Sequence, residues 1–190
     1  MFTVLFILFQ FTLAEDLIFE EYGNKFHRIQ NGECVYMRDG KSVKHDFTST
    51  QLTEVVFDSD NCTGTSTSTT LPLTEVKYVY MNCPEYVGYI VEDDKRNCPH
   101  KQNAEKMYYK SGCSAYGNAG SINHVVELVN ETEHLKTYTY KVANCTGDAV
   151  IEDVGACETC QMEQIGSYFV HCGSILKMIL FIVGLLLFLL

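Results

Sequence analysis

Between its two ends the chain alternates apolar and polar positions at period two, and no apolar stripe at helical spacing is sustained. Val76, Tyr78 and Tyr80 fall on one side of an extended segment while Lys77, Val79 and Met81 take the other. Tyr138, Tyr140 and Val142 stand in the same way against Thr137, Thr139 and Lys141. β-Branched and aromatic residues in this alternation fit a pleated, half-buried surface, so strands are predicted over both stretches. All twelve Tyr lie from Tyr22 to Tyr168, whereas six of the eleven Phe belong to the two ends. The pattern predicts an all-β, mainly-β fold.

The ends break the alternation. Met1 to Leu13 carry no charge, and Thr12 and Ala14 stand at the −3 and −1 positions of a small-residue cleavage site followed by Glu15 and Asp16. This reads as a signal peptide, residues 1–14. At the other end, Met178 to Leu190 are apolar throughout, preceded by Lys177. At 1.5 Å per residue such a helix reaches about 20 Å, short of the roughly 30 Å hydrocarbon core of a bilayer. Residues 173–190 therefore fit a glycolipid (GPI) anchor signal better than a transmembrane helix. The attachment candidates are Ser167, Gly173 and Ser174. Either reading ties the protein to a membrane from outside.

Two stretches in between match in outline. From Cys34 the chain runs through a turn at Asp39 and Gly40 to Asn61-Cys62-Thr63-Gly64. From Cys113 it runs through a turn at Gly117 to Gly120 to Asn144-Cys145-Thr146-Gly147. The opening cysteines lie 79 residues apart and the two Asn-Cys-Thr-Gly copies 83 apart. Each copy then ends in a Cys-bounded segment, Cys83 to Cys98 and Cys160 to Cys172. This predicts an internal duplication, with a first Cys-rich β unit at 15–98 and a second at 99–172.

Nine Cys in 190 residues, with only 3 Pro, change the picture from a generic β chain to a disulfide-stabilised one of an oxidising compartment. The disulfide candidates are Cys34, Cys62, Cys83, Cys98, Cys113, Cys145, Cys157, Cys160 and Cys172. Two four-Cys units consume eight, which leaves Cys157 or Cys160 over, with a disulfide-linked homodimer as one outlet. With 24 acidic against 14 basic residues the net charge is −10, which excludes nucleic acid as a partner.

The candidate chemistry is modification rather than catalysis. Sequons for N-glycosylation occur at Asn61, Asn130 and Asn144, and Asn130 has no cysteine inside its sequon. Thr63 to Thr70 hold seven hydroxyl side chains in eight positions, as an O-glycosylated loop or a solvated linker does. Cys157-Glu158-Thr159-Cys160 has the spacing of a dithiol redox motif but lies late in a β-rich chain, without the strand-then-helix setting that lowers a thiol pKa. Glu92, Asp93 and Asp94 lack the alternation and glycine of a calcium loop. His27, His45, His100, His124, His134 and His171 are scattered with no catalytic motif beside them. No catalytic residue, cofactor or metal site is predicted.

The short leader, the duplicated Cys units with Asn-Cys-Thr-Gly, the Ser/Thr run and the apolar C-terminal stretch resemble lineage-specific Cys-rich secreted and surface proteins of parasitic amoebae. That resemblance implies a surface location. Tandem units under a lipid anchor also look like the three-finger proteins related to the urokinase receptor. Those have more Cys per unit and close on Cys-Asn, whereas here Pro99 follows Cys98 and Gly173 follows Cys172. The expected function is that of a non-enzymatic, membrane-anchored cell-surface glycoprotein for adhesion, coat formation or binding of a protein or glycan ligand. The alternatives are a secreted effector or inhibitor and a thiol oxidoreductase using Cys157 and Cys160.

Overall fold

A computed structural model of the chain describes residues 16–173 apart from 22–23, 38–39, 77–78, 81–82, 94–97, 99–103 and 164–165. The expected signal peptide, Ser174 and the apolar C-terminal stretch lie outside the described residues. Alternation becomes strand throughout: β1 Asp16–Glu21, β2 Lys25–Gln30, β3 Cys34–Tyr36, β4 Ser42–Phe47, β5 Gln51–Phe57, β6 Ser66–Pro72, β7 Val79–Tyr80 and β8 Tyr86–Asp93. There follow β9 Lys106–Lys110, β10 Ser114–Tyr116, β11 Gly120–Val129, β12 Thr132–Tyr140, β13 Ala149–Ala156, β14 Thr159–Glu163 and β15 Gly166–Cys172. The fold is mainly β, and a single 3₁₀ turn, Leu73–Glu75, is the helical element among the described residues. Of the strand expected over Val76 to Met81, Val79–Tyr80 is described as β7, Val76 follows the 3₁₀ turn, and residues 77, 78 and 81 lie outside the described residues. Val142 lies beyond the end of β12, exposed in the following turn.

The strands form three antiparallel sheets. Two are four-stranded meanders, β3-β4-β5-β6 and β10-β11-β12-β13, and the third is seven-stranded in the order β14-β15-β8-β9-β2-β1-β7. Register places Leu17 opposite Ile29 and His27 opposite Met107, with Met107 opposite Ile90 and Ile90 opposite Val170, so these residues share one face of the large sheet. Both meanders pack on that face. Leu17 and Ile29 meet Phe47 and Leu52 of the first, and Ile90, Tyr109 and Val170 meet Leu135 and Val154 of the second. The opposite face carries a row of rings across four strands, Phe26, Tyr108, Tyr89 and His171, each opposite the next. Successive ring centroids are 5.3, 5.2 and 4.6 Å apart, and Cys83 packs against the Phe26 end.

The meanders repeat one design. A disulfide joins the start of the first strand to the turn before the last, Cys34–Cys62 in one and Cys113–Cys145 in the other. In that turn the Cys62 N–H donates to Ser42 Oγ at 2.7 Å and the Cys145 N–H to Ser121 Oγ at 2.8 Å. Both cysteines adopt positive φ, 54° and 52°. The glycine two residues on does the same, Gly64 at 84° and Gly147 at 81°, which accounts for glycine at the end of each Asn-Cys-Thr-Gly.

Of the remaining bridges, one departs from pairing confined within units. Cys98–Cys160 crosses the 98/99 boundary, and Cys157–Cys172 closes the hairpin end of β15. The large sheet likewise interleaves strands from both sides of that boundary, since β8 lies between β15 and β9. Cys157 and Cys160 are thus both bridged, and the ninth cysteine is Cys83. Spacing hides this because the bond partners are set by which strands the large sheet brings together. The Ser/Thr run is also neither loop nor linker from Ser66 onward: Ser66 to Thr70 belong to β6, the exposed edge strand of the first meander.

Candidate functional site

The face of the first meander that looks onto the large sheet carries Val43, His45 and Phe47 from β4 and Leu52, Glu54 and Val56 from β5, by the two-residue period of each strand. Phe47 and Leu52 close on Leu17 and Ile29 at one end. At the other the layers part, and a cavity of about 240 Å³ opens with Ile29, Met37, Val43 and Val56 along its apolar walls. Smaller spaces of about 130 and 50 Å³ continue it around His27 and Glu105. An apolar cavity of about 150 Å³ admits a benzene ring, so this one has room for a ring and a short substituent.

The polar lining of the 240 Å³ cavity consists of two histidine–glutamate pairs, while Arg28, Gln30, Glu33 and Lys106 line the adjoining 130 Å³ space. His45 Nε2 lies 3.1 Å from Glu54 Oε2 across the β4–β5 ladder, and His27 Nδ1 lies 3.1 Å from Glu105 Oε1. Each imidazole is the inner member and each carboxylate the outer one: the side chains of Glu54 and Glu105 are 49% and 54% exposed. His45 is only 7% exposed, and its Nδ1 is buried with no hydrogen-bond partner. The site offers two half-exposed carboxylates, each beside a histidine, and apolar walls from Ile29, Met37, Val43 and Val56, which is the composition of a small-molecule pocket. Among the described residues no group of three His, Cys, Asp or Glu is placed to hold a metal ion.

Sequence reasoning missed this site because it took each histidine alone. His45 and His124 lie 79 residues apart, the same offset as Cys34 and Cys113, and each follows a serine by three positions. Those serines, Ser42 and Ser121, are the buried acceptors of the cysteine N–H groups. Ser-x-x-His is therefore part of the repeat. In the second meander His124 bonds Thr137 through Nδ1 at 2.9 Å, the position on β12 that Glu54 holds on β5.

The other predicted residues fall as follows. Asn61, Asn130 and Asn144 are all exposed, at turns of the meanders. Asn130 and Glu131 form the tip of the β11–β12 hairpin, with φ of 49° and 69°. Asn61 Oδ1 accepts from Thr63 Oγ1 at 2.6 Å and Asn144 Oδ1 from Thr146 Oγ1 at 2.7 Å, so the two repeated sequons share a geometry. Ser167 is 2% exposed as the second residue of β15, and its Oγ accepts from the Cys98 N–H at 3.1 Å. Cutting the chain there would remove Val170 from the core and leave Cys157 without Cys172, so Ser167 does not suit anchor attachment. Gly173 lies just past β15, exposed. Cys157 and Cys160 bond Cys172 and Cys98 instead of each other, Cys157 in the turn between β13 and β14 and Cys160 within β14, so the C-x-x-C spacing does not form a dithiol pair.

No known protein family, curated protein or solved structure matches the chain. Fold and bridges still define a class, that of mainly-β proteins held by several disulfides, which are typical of the secretory pathway and the extracellular space. No helix among the described residues is long and apolar enough to cross a membrane.

Proposed function

We propose that the protein is a non-enzymatic, membrane-anchored glycoprotein of the outer cell surface that binds a ligand in the cleft between its large sheet and its first meander. The observation that carries this reading is the open cleft beside His45, with apolar walls and two histidine–glutamate pairs, in a scaffold cross-linked by four disulfides. Apolar walls beside two histidine–glutamate pairs in one cleft support binding there. Three exposed sequons support the glycoprotein part. Attachment at Gly173 or Ser174 leaves every strand and bridge intact, which supports anchoring there.

Intact and peptide mass spectrometry of the mature protein from its own cells, without reduction, tests the reading. The expected result is a glycolipid on residue 173 or 174 and N-glycans on the sequons. Protein found in the medium with no lipid would replace surface anchoring with the secreted effector alternative. A tail intact to Leu190 would mean an inserted helix.

A further inference from the structure

We infer that the cleft takes a ring-bearing cation, an aromatic ring carrying a protonated amine, and this rests on the cleft being a binding site as proposed above. The second meander supplies the comparison. There His124 is met edge-on by the ring of Tyr109, with centroids 5.0 Å apart and planes at 86°, and Tyr109 is 2% exposed. The residue in the corresponding place of the first half is Ile29. Ile29 and Tyr109 each stand three residues before a glycine of positive φ, Gly32 at 74° and Gly112 at 82°, in the turn that leads from the large sheet into each meander.

The fold thus places a histidine at the same register position twice, held through Nδ1 in the second meander and through Nε2 in the first. Once an aromatic side chain of the protein covers it; once a shorter aliphatic side chain stands opposite and the cavity lies between. A ring brought by a ligand would fill that space, with Ile29 and Val43 as its walls and His45 at its edge. The second difference concerns charge. Where Thr137 bonds His124, Glu54 bonds His45, and Glu105 adds another carboxylate at the mouth. The main cavity is lined by two half-exposed carboxylates and by no Lys or Arg, Arg28 and Lys106 lining only the adjoining space, so in a protein of net charge −10 it favours a cationic substituent on that ring over an anionic one. A charge-assisted hydrogen bond to an ammonium is about twice as strong as a neutral one.

The test uses the full, disulfide-bonded protein and three probes: tyramine, with ring and charge; p-cresol, with the ring only; and hexylamine, with the charge only. Calorimetry and ligand-observed NMR are expected to show tyramine binding about tenfold more tightly than either of the others. Ile29→Tyr, which rebuilds the arrangement of the second half, should abolish binding while the thermal midpoint holds or rises. Glu54→Gln keeps the shape and should weaken tyramine about tenfold without affecting p-cresol. If p-cresol or hexylamine binds as well as tyramine and Ile29→Tyr removes that binding, the cleft is a binding site but the ligand class is wrong. If no probe binds and Ile29→Tyr only stabilises the fold, the cavity is a packing defect and both readings fall. Should Ile29→Tyr not fold, Glu54→Gln and the ranking of the three probes decide alone.

Discussion

Ser121 is fully buried, accepts the Cys145 N–H and donates to the Val142 carbonyl, so one hydroxyl satisfies two backbone groups at the turn of the second meander. Removing it in Ser121→Ala leaves both without a partner, and the expected loss is about 1 to 3 kcal/mol in urea unfolding. Ser42 holds the corresponding place, and Ser42→Ala should cost a similar amount. Gly88 shows the opposite constraint, lack of room. A Cβ there would stand 2.6 Å from the His171 carbonyl oxygen on the neighbouring strand β15, and backbone cannot swing aside as a flexible side chain can. Gly88→Ala should therefore destabilise by about 1 to 3 kcal/mol, with the thermal midpoint as the readout. At this scale the sequence was partly legible. The glycines closing both Asn-Cys-Thr-Gly copies could be read as turn residues, whereas Gly88 could not, because what crowds it lies more than eighty residues away.

The elements are where legibility was greatest and also where it failed in an instructive way. Period-two alternation marks β11 and β12 directly, since each has one face on the core and one in water. It says nothing about β6, whose Ser and Thr residues are exposed on both faces and look like a linker. That segment is a strand only because β5 pairs with it along its whole length. The matching turn bridges give this scale its prediction. Cys34–Cys62 and Cys113–Cys145 span 28 and 32 residues, and loops of that size contribute about 3 to 4 kcal/mol by restricting the unfolded chain. Replacing Cys34 and Cys62 together by Ala should lower stability by about that amount, and amide exchange should rise first in β3 to β6. Replacing Cys113 and Cys145 should do the same for β10 to β13.

For the whole molecule the large sheet is the organising part, because it receives strands from both halves and both meanders pack on one of its faces. Its rings give a pH dependence. Burial pushes the Tyr108 phenol up to about 12, and burial raises Tyr109 as well. Between pH 10 and about 12 the unfolded chain releases the Tyr108 proton while the folded protein retains it. The contribution is fully present below pH 10 and is lost as pH rises toward 12, at about 1.4 kcal/mol per pH unit for each such tyrosine. Urea midpoints should fall over that window, and ultraviolet titration should show a late-ionising class that disappears in denaturant.

What the sequence indicated by itself was local or statistical: strand from alternation, disulfide cross-linking from nine cysteines, and two matching turns from Asn-Cys-Thr-Gly. The tertiary structure decided what depends on long-range pairing. It separated Cys157 from Cys160 by giving each a different partner, and it placed Cys98 against Cys160 across the boundary between the repeats. It put Ser167 inside a strand, and it set Ile29 where Tyr109 stands in the other half, so that one of two equivalent histidines faces a cavity. Side-chain period tells which residues share a face, but only the packing of one sheet on another shows whether the space between those faces is filled.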